Sequence, residues 1–399
     1  MKNTKTKVLI LSTKVNGGGA EKVSTLMGEN INNSRLVVFE NIENFEYRSD
    51  NLVNLNTPRY SSSILKIVTF IVRFIRIQYL KLIENPGTTV SHLEGPNFIN
   101  LLTFLGGKKV IFVHNINSIN YLNNEAFGSL KLKLMKFLYK RADLVIGVSN
   151  DICEELNTLF YVPKNKIAYM PNPIDIRAVE LSSKKVIPAE LQFLDGEEYL
   201  INIGSLTEQK GQVYFLKILE GLKNTNAQLK GLILGVGKLE KELIDCANEL
   251  NLKYYVDNSN NNSSAEDSDV IFLGFQSNPY PYLLHAKFFV MTSLWEGLPI
   301  SLLESIVLKT PVIVSDCSSG IRQVLSRNAL SKHINTPFKV YAGCIMPKIK
   351  TSNFEDQLHM WVNEITTFDP GKEFINECDK VIIDFRLHKV LEEWKEHFS

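Results

Sequence analysis

The chain has 399 residues, 44% of them apolar, and a net charge of +1. This length can bury a large core in two or three domains. Its five cysteines stand singly with no CxxC, which indicates neither a metal site nor a disulfide framework and fits reduced, cytoplasmic thiols. The charge is uneven: residues 1–180 hold 22 Lys+Arg and 15 Asp+Glu, the remainder 22 and 28. A basic first half points to an anionic partner. With no aromatic-basic run and no zinc-finger spacing, a membrane surface suits better than nucleic acid. The opening MKNTKTKVLILST has too short an apolar run for a signal segment and reads as a first strand.

Lys7 to Ser12 is predicted as a buried strand, Asn16 to Glu21 as a Gly-rich loop, and Ala20 to Glu29 as a helix. Glycines let a backbone approach a ligand closely, and helix starts offer amides to anions. Ile64 to Leu82 is almost long enough to span a membrane, but four charges interrupt it. On a helix Lys66, Arg73, Arg76 and Lys81 fall within an arc of about 140°. Two arrangements fit: a core helix with a solvated basic face, or a helix lying in an anionic membrane interface. Ser129 to Arg141 adds Lys133, Lys136 and Lys140, with Lys131 and Arg141, on a second basic and apolar helix. Val90–His92 and Val110–His114 read as strands that end in histidine. A histidine there can donate to a phosphate or a sugar hydroxyl; His92 is read as structural. Ser149 should cap a helix from Asp151 to Leu159. Met170 to Asp175 is a Pro/Asn turn, and the charged, aperiodic stretch from Arg177 to Glu198 reads as a linker.

Tyr199 to Gly204 begins a second strand-helix series, with a helix from Gln212 to Leu222 and a strand from Gly231 to Leu234. Asn251 to Asp269 is polar and reads as a surface loop or mobile insertion. Val270 to Gln276 and Phe288 to Thr292 resume the core. Ser293 to Gly320 then joins a turn at Gly297-Leu298-Pro299, a helix over Ser301–Leu308, a Pro-started strand and a Gly/Ser turn. Glu296 and Glu304, eight residues apart, return towards one end of the sheet. Ligands of such sheets sit at the open strand ends. Carboxylates accept from hydroxyls and helix-start amides hold anions, so the ligand expected here carries hydroxyls and phosphates. Val381 to Phe398 reads as one charged amphipathic helix.

The Ser293–Gly320 stretch resembles the Glu-x7-Glu signature of the retaining GT-B glycosyltransferases, in particular family GT4, with Glu296 and Glu304 as its glutamates. The resemblance runs from about Lys7 to Thr336. It implies that Gly17, Gly18 and Gly19 face a donor diphosphate, and that His114 stands near donor sugar and acceptor. Gly204, Leu206, Lys210 and Gly211 match the family's Gly-Arg-Leu-x-x-x-Lys-Gly, with Ser205 in place of the arginine. The family clamps the diphosphate with both bases; here Lys210 remains as a point charge and bidentate recognition is lost at Ser205. Phe275, and with it Gln276, would border the nucleobase. Glu296 would contact sugar hydroxyls, the turn Leu298, Pro299 and Ile300 would lie near the sugar-phosphate with the Leu298 and Ile300 amides as its donors, and Glu304 would accept from the ribose.

The expected fold is therefore α/β, a GT-B pair of Rossmann-like domains facing an interdomain cleft. The expected bounds are 1–176, a linker 177–198, a nucleotide-sugar domain 199–375, and a helix 376–399 crossing back to the first domain. The expected reaction is retaining transfer of a hexosyl unit from a nucleotide-sugar, a UDP-sugar foremost, to a glycan or lipid-linked acceptor of bacterial surface polysaccharide assembly. No cofactor and no metal is expected. The expected location is cytoplasmic, peripheral on the inner membrane face, with Lys66, Arg73, Arg76, Lys133, Lys136 and Lys140 on the membrane or acceptor side. Two other readings fit the same architecture: a non-hydrolysing UDP-sugar epimerase, and a non-catalytic nucleotide-sugar-binding subunit.

Overall fold

The structure, a computed structural model, describes residues 7–15, 18–40, 47, 49–58, 60, 62–122, 128–225, 227, 229–257 and 264–398. The chain divides into two compact units, Met1–Pro173 with Leu387–Ser399, and Ile174–Arg386.

The first unit runs β1 (Val8–Ser12), α1 (Gly19–Asn30), β2 (Ser34–Val38), β3 (Leu52–Asn54), α2 (Ser63–Glu84), β4 (Thr88–His92), α3 (Glu94–Leu102), β5 (Lys108–Val113), α4 (Asn117–Leu122), α5 (Gly128–Leu138), β6 (Leu144–Gly147), α6 (Asn150–Thr158) and β7 (Ile167–Tyr169). Its strands pair in parallel in the order β3-β2-β1-β4-β5-β6-β7. β1 is buried at all five positions, as a central parallel strand covered on both faces must be. Ser149 caps α6, accepting from the Ile152 amide.

The second unit runs α7 (Ile176–Ser183), β8 (Tyr199–Ile203), α8 (Gln212–Asn224), β9 (Lys230–Leu234), α9 (Glu240–Glu249), β10 (Tyr254–Val256), β11 (Val270–Phe272), α10 (Tyr280–His285), β12 (Phe288–Met291), α11 (Ile300–Val307), β13 (Val312–Ser315), α12 (Ser319–Leu325), β14 (Phe338–Val340), β15 (Gly343–Met346), α13 (Glu355–Thr367) and α14 (Phe374–Ile382). The strand order is β10-β11-β9-β8-β12-β13-β15-β14, with β14 antiparallel at the edge. The last helix, α15 (Leu387–Phe398), belongs to the first unit. There Trp394 is fully buried, edge-on to Phe112, and Lys108 Nζ donates to the His397 carbonyl at 2.8 Å.

Four expectations are corrected. The stretch read as a linker carries α7, capped by Asp175, whose Oδ1 accepts from the Ala178 amide at 3.0 Å. α7 packs on α10 and α11, so it is part of the second unit. The polar stretch 251–269 contains β10, which pairs with β11; its Asn258–Asn262 and Ser263 lie outside the described residues. The helix expected over Val381–Phe398 is broken at Arg386, which is extended and bridges to Ile174, while the Ile174 amide donates to the Phe385 carbonyl at 2.8 Å.

The fourth correction concerns α2, which is not the core helix with a solvated basic face that was one of its two readings. Its apolar face is outside: Ile64 is 75% exposed and Ile67 61%, with Val68, Ile71, Ile75 and Leu82 also exposed. Two of its cations point into the protein. Arg73 Nε donates to Thr57 Oγ1 at 2.7 Å, and its guanidinium lies over Phe39. Lys81 is buried. Arg76, though exposed, is drawn to the Leu55 carbonyl, while Lys66 stays exposed. The reason is local: β3 and its following turn present Leu55 and Thr57 oxygens to this side of α2, and each can accept from a guanidinium.

Candidate active site

In the second unit the loops after β8, β12 and β13, three adjacent strands, meet at their C-terminal ends. Glu296 follows β12 and is 5% exposed. Lys210, from the turn after β8, places Nζ 2.6 Å from its Oε1, and Ser293 Oγ donates to the same oxygen at 2.9 Å. Gln209 Nε2 donates to the Trp295 carbonyl at 2.9 Å, and the Leu294 amide donates back to the Gln209 carbonyl at 2.8 Å. The β12 loop is thus tied to the β8 turn through side chain and backbone. Gly211 makes the approach possible: its φ is +61°, and a Cβ there would lie 2.3 Å from the Thr292 carbonyl oxygen. Gly235, after β9, is constrained likewise, with φ +146° and a Cβ position 1.9 Å from the Gly204 oxygen.

α11 begins beside this pair. Pro299 is its N-cap, without a side-chain cap bond, and Leu298 and Ile300 are buried. Glu304 lies in its second turn, 2% exposed, and accepts from the Tyr280 hydroxyl at 2.9 Å. Ser318 Oγ donates to the Gly297 carbonyl at 3.0 Å, joining the β13 loop to the same turn. Behind it Asp316 and Arg322 form a buried ion pair that also takes the Ile334 amide; this is a structural knot. Cys317 is buried, and burial pushes its thiol well above the ordinary range, so it is no nucleophile. Ser205 is exposed at the end of β8, and Phe275 is half-exposed beyond β11. The unit therefore brings Lys210, Glu296 and the start of α11 together, with Glu304 one turn on.

In the first unit Gly18 and Gly19 stand at the start of α1; Gly17 lies outside the described residues. The Gly18 amide is not open to a ligand, since it donates to Glu21 Oε2 at 3.1 Å. Burial raises the Glu21 carboxyl above the usual range. His114 follows β5. Its Nε2 is 3.0 Å from His92 Nδ1, and His92 Nε2 is 3.0 Å from Met27 Sδ. The Asn172 side chain is the polar neighbour of the His114 ring and acts to raise its pKa, against the larger effect of burial. Burial holds His114 down at about 3 and His92 well below its ordinary value, so both rings are neutral. Lys133, Lys136 and Lys140 are exposed around α5, Lys136 with its Nζ 4.0 Å from the centre of the Tyr161 ring.

Sequence reading missed Gln209, Ser293 and Tyr280. The first two were visible as polar neighbours of Lys210 and Glu296, but nothing in spacing aims them at one carboxylate. Tyr280 stands between two prolines in a turn, where an aromatic reads as packing. Among the described residues no group of three or more His, Cys, Asp or Glu is placed to hold a metal ion.

The sequence matches the family described as Glycosyl transferases group 1 over residues 183–335, and Glycosyltransferase Family 4 over residues 37–178. It is 27% identical over 341 residues to an uncharacterized glycosyltransferase of Methanocaldococcus jannaschii, covering 79% of this chain and 80% of that one. It is 30% identical over 257 residues to the N-acetylgalactosamine-N,N'-diacetylbacillosaminyl-diphospho-undecaprenol 4-alpha-N-acetylgalactosaminyltransferase of Campylobacter jejuni, covering 63% of this chain and 64% of that one. Its fold is similar to that of Anabaena HepE, solved with UDP and glucose, at TM-score 0.68 and 14% identity over 98% of this chain and 99% of that one.

Proposed function

The chain belongs to the group 1 glycosyltransferases, with their GT-B fold, and we propose that it moves a hexosyl unit from a UDP-sugar to a lipid-linked glycan in surface polysaccharide assembly. The observation that carries the reading is the buried Glu296 carboxylate, fixed by Lys210 and Ser293 at the strand ends. A carboxylate so held accepts from sugar hydroxyls and orients the ring. It is already bonded to a cation, so it is a poor nucleophile. Attack from the face the diphosphate leaves, with retention, then needs only charge stabilisation at that diphosphate. Lys210, shared between Glu296 and the diphosphate, and the α11 amides would supply it without a metal. With Ser205 neutral, Lys210 carries more of that charge than it would beside an arginine. Glu304 would accept from the ribose.

The acceptor places the work at a membrane, as the undecaprenol-linked substrate in the name of the Campylobacter relative supports. No helix among the described residues is long and apolar enough to cross one. The outward face of α2 supports attachment by insertion: a row of exposed isoleucines gains by burial in acyl chains. On α5, exposed Leu130, Leu134 and Phe137 interleave with Lys133 and Lys136, and Lys140 follows in the next turn, which suits anionic headgroups. We place the enzyme on the cytoplasmic face.

The test is transfer from UDP-sugars to a polyprenyl-diphosphate-linked glycan in vesicles containing phosphatidylglycerol, with EDTA present and the product anomer read by NMR. Retained configuration, loss of transfer in Glu296→Ala, and loss of vesicle binding in Ile71→Asp/Ile75→Asp are expected. An inverted product, or dependence on divalent metal, would overturn those parts of the reading.

A further inference from the structure

Tyr280 opens α10, and its hydroxyl donates to Glu304 Oε1 at 2.9 Å. Several features fix that phenol. Pro279 and Pro281 flank it and restrict the backbone on both sides. α7 packs against both α10 and α11, the helices that carry Tyr280 and Glu304. Burial, with the negative charges of Glu304 and Asp175, pushes the phenol far above its ordinary range, so it stays a neutral donor. A carboxylate gripped at one oxygen by a fixed donor cannot turn freely about its own bond, so its orientation is set before any ligand arrives.

We infer that Tyr280 is a positioning residue: by holding Glu304 it aims that carboxylate at ribose hydroxyls and makes the site select ribonucleotides over 2′-deoxyribonucleotides. This rests on the reading of Glu304 as the ribose contact. Tyr280 touches no reacting atom. Its effect is a difference between two ligands that differ by one hydroxyl, since an aimed acceptor rewards the hydroxyl and an unaimed one does not.

Calorimetric titration of the full chain with UDP, GDP and ADP and their 2′-deoxy forms tests it, in wild type, Tyr280→Phe, Glu304→Ala and the double variant. Wild type should prefer the ribose form of its nucleotide by roughly tenfold or more, the worth of one hydrogen bond to a charged group. Tyr280→Phe should lose most of that preference while keeping its affinity for the 2′-deoxy form. Glu304→Ala should show no preference, and adding Tyr280→Phe should change nothing further. A merely structural tyrosine would weaken both forms equally and leave the ratio intact; that result overturns the inference. A wild type that binds a nucleotide without preference overturns it too, and leaves the nucleotide-sugar reading standing. A wild type that binds none of the six removes both.

Discussion

Lys81 should cost the first unit stability, and replacing it with methionine should return that stability in a pH-dependent way. The side chain is 1% exposed, and its Nζ donates to Asn100 Oδ1 at 2.8 Å and Thr103 Oγ1 at 2.7 Å. Among the described residues no carboxylate lies within ion-pair distance of it. Burial, then the charge of Lys109, lowers its pKa from 10.5 to about 7. The unfolded chain therefore binds more protons between pH 7 and 10.5, and stability rises with pH across that window. Below pH 7 the full penalty applies: a fall from 10.5 to about 7 corresponds to about 5 kcal/mol at 1.36 per unit. Lys81→Met removes the penalty but leaves Asn100 Oδ1 without that donor, at a cost of about 1–3 kcal/mol. The variant should be more stable than wild type by about 2–4 kcal/mol at pH 6.5. That advantage should shrink, and reverse, towards pH 10.5. Urea unfolding read from Trp394, with Trp295 and Trp361 replaced by phenylalanine, isolates the first unit. A variant less stable than wild type at pH 6.5, or a difference constant between pH 6 and 10, would refute the reasoning.

Two further predictions follow from the same kind of accounting. Lys210→Ala leaves the Glu296 carboxylate buried without its cation and should destabilise the second unit by up to about 3–5 kcal/mol, reduced because Lys210 is partly exposed. Lys210→Met/Glu296→Gln should recover most of that loss in urea unfolding, and equal stability of the single and double variants would count against the pair. The His92–His114 pair, neutral, with His92 fully buried and His114 partly so, should give no limb near pH 6.5 in a rate profile. Its depressed pKa values should make stability fall as pH drops below about 6.5, where unfolded histidines bind protons. A rate limb near 6.5 that vanishes in His114→Asn would be the contrary result.

Much of the architecture was legible because strands between glycine or proline turns leave strong marks: Val8–Ser12, Tyr199–Ile203 and Val312–Ser315 all lie where their apolar runs predict. The glutamate spacing located the strand-end site for the same reason, since it is a local property of one turn and one helix. What was not legible is what depends on partners distant in sequence. Periodicity divides α2 into two faces but cannot say which is inside; oxygens at Leu55 and Thr57 decided that. The Lys210–Glu296 pair spans 86 residues, and its existence depends on β8 and β12 being neighbours. Short elements such as β10 and α7 carry too few residues for a period to show. Nor does the Gly-rich spacing reveal that Glu21 Oε2 takes the Gly18 amide, which the loop reading left open to a ligand.

The return of α15 to the first unit has a consequence for the order of synthesis. Every residue of the second unit is made before Trp394, which covers Phe112 on β5. On the ribosome β1 to β7 emerge early, yet Phe112 lacks its Trp394 neighbour while Ile174–Arg386 is translated. The second unit, continuous in sequence, can close as soon as it clears the exit tunnel, so the part made first is finished last. Nascent chains halted before Leu387 should therefore present Phe112 to chaperones, and the late arrival of one twelve-residue helix sets when the newly made protein stops being a client.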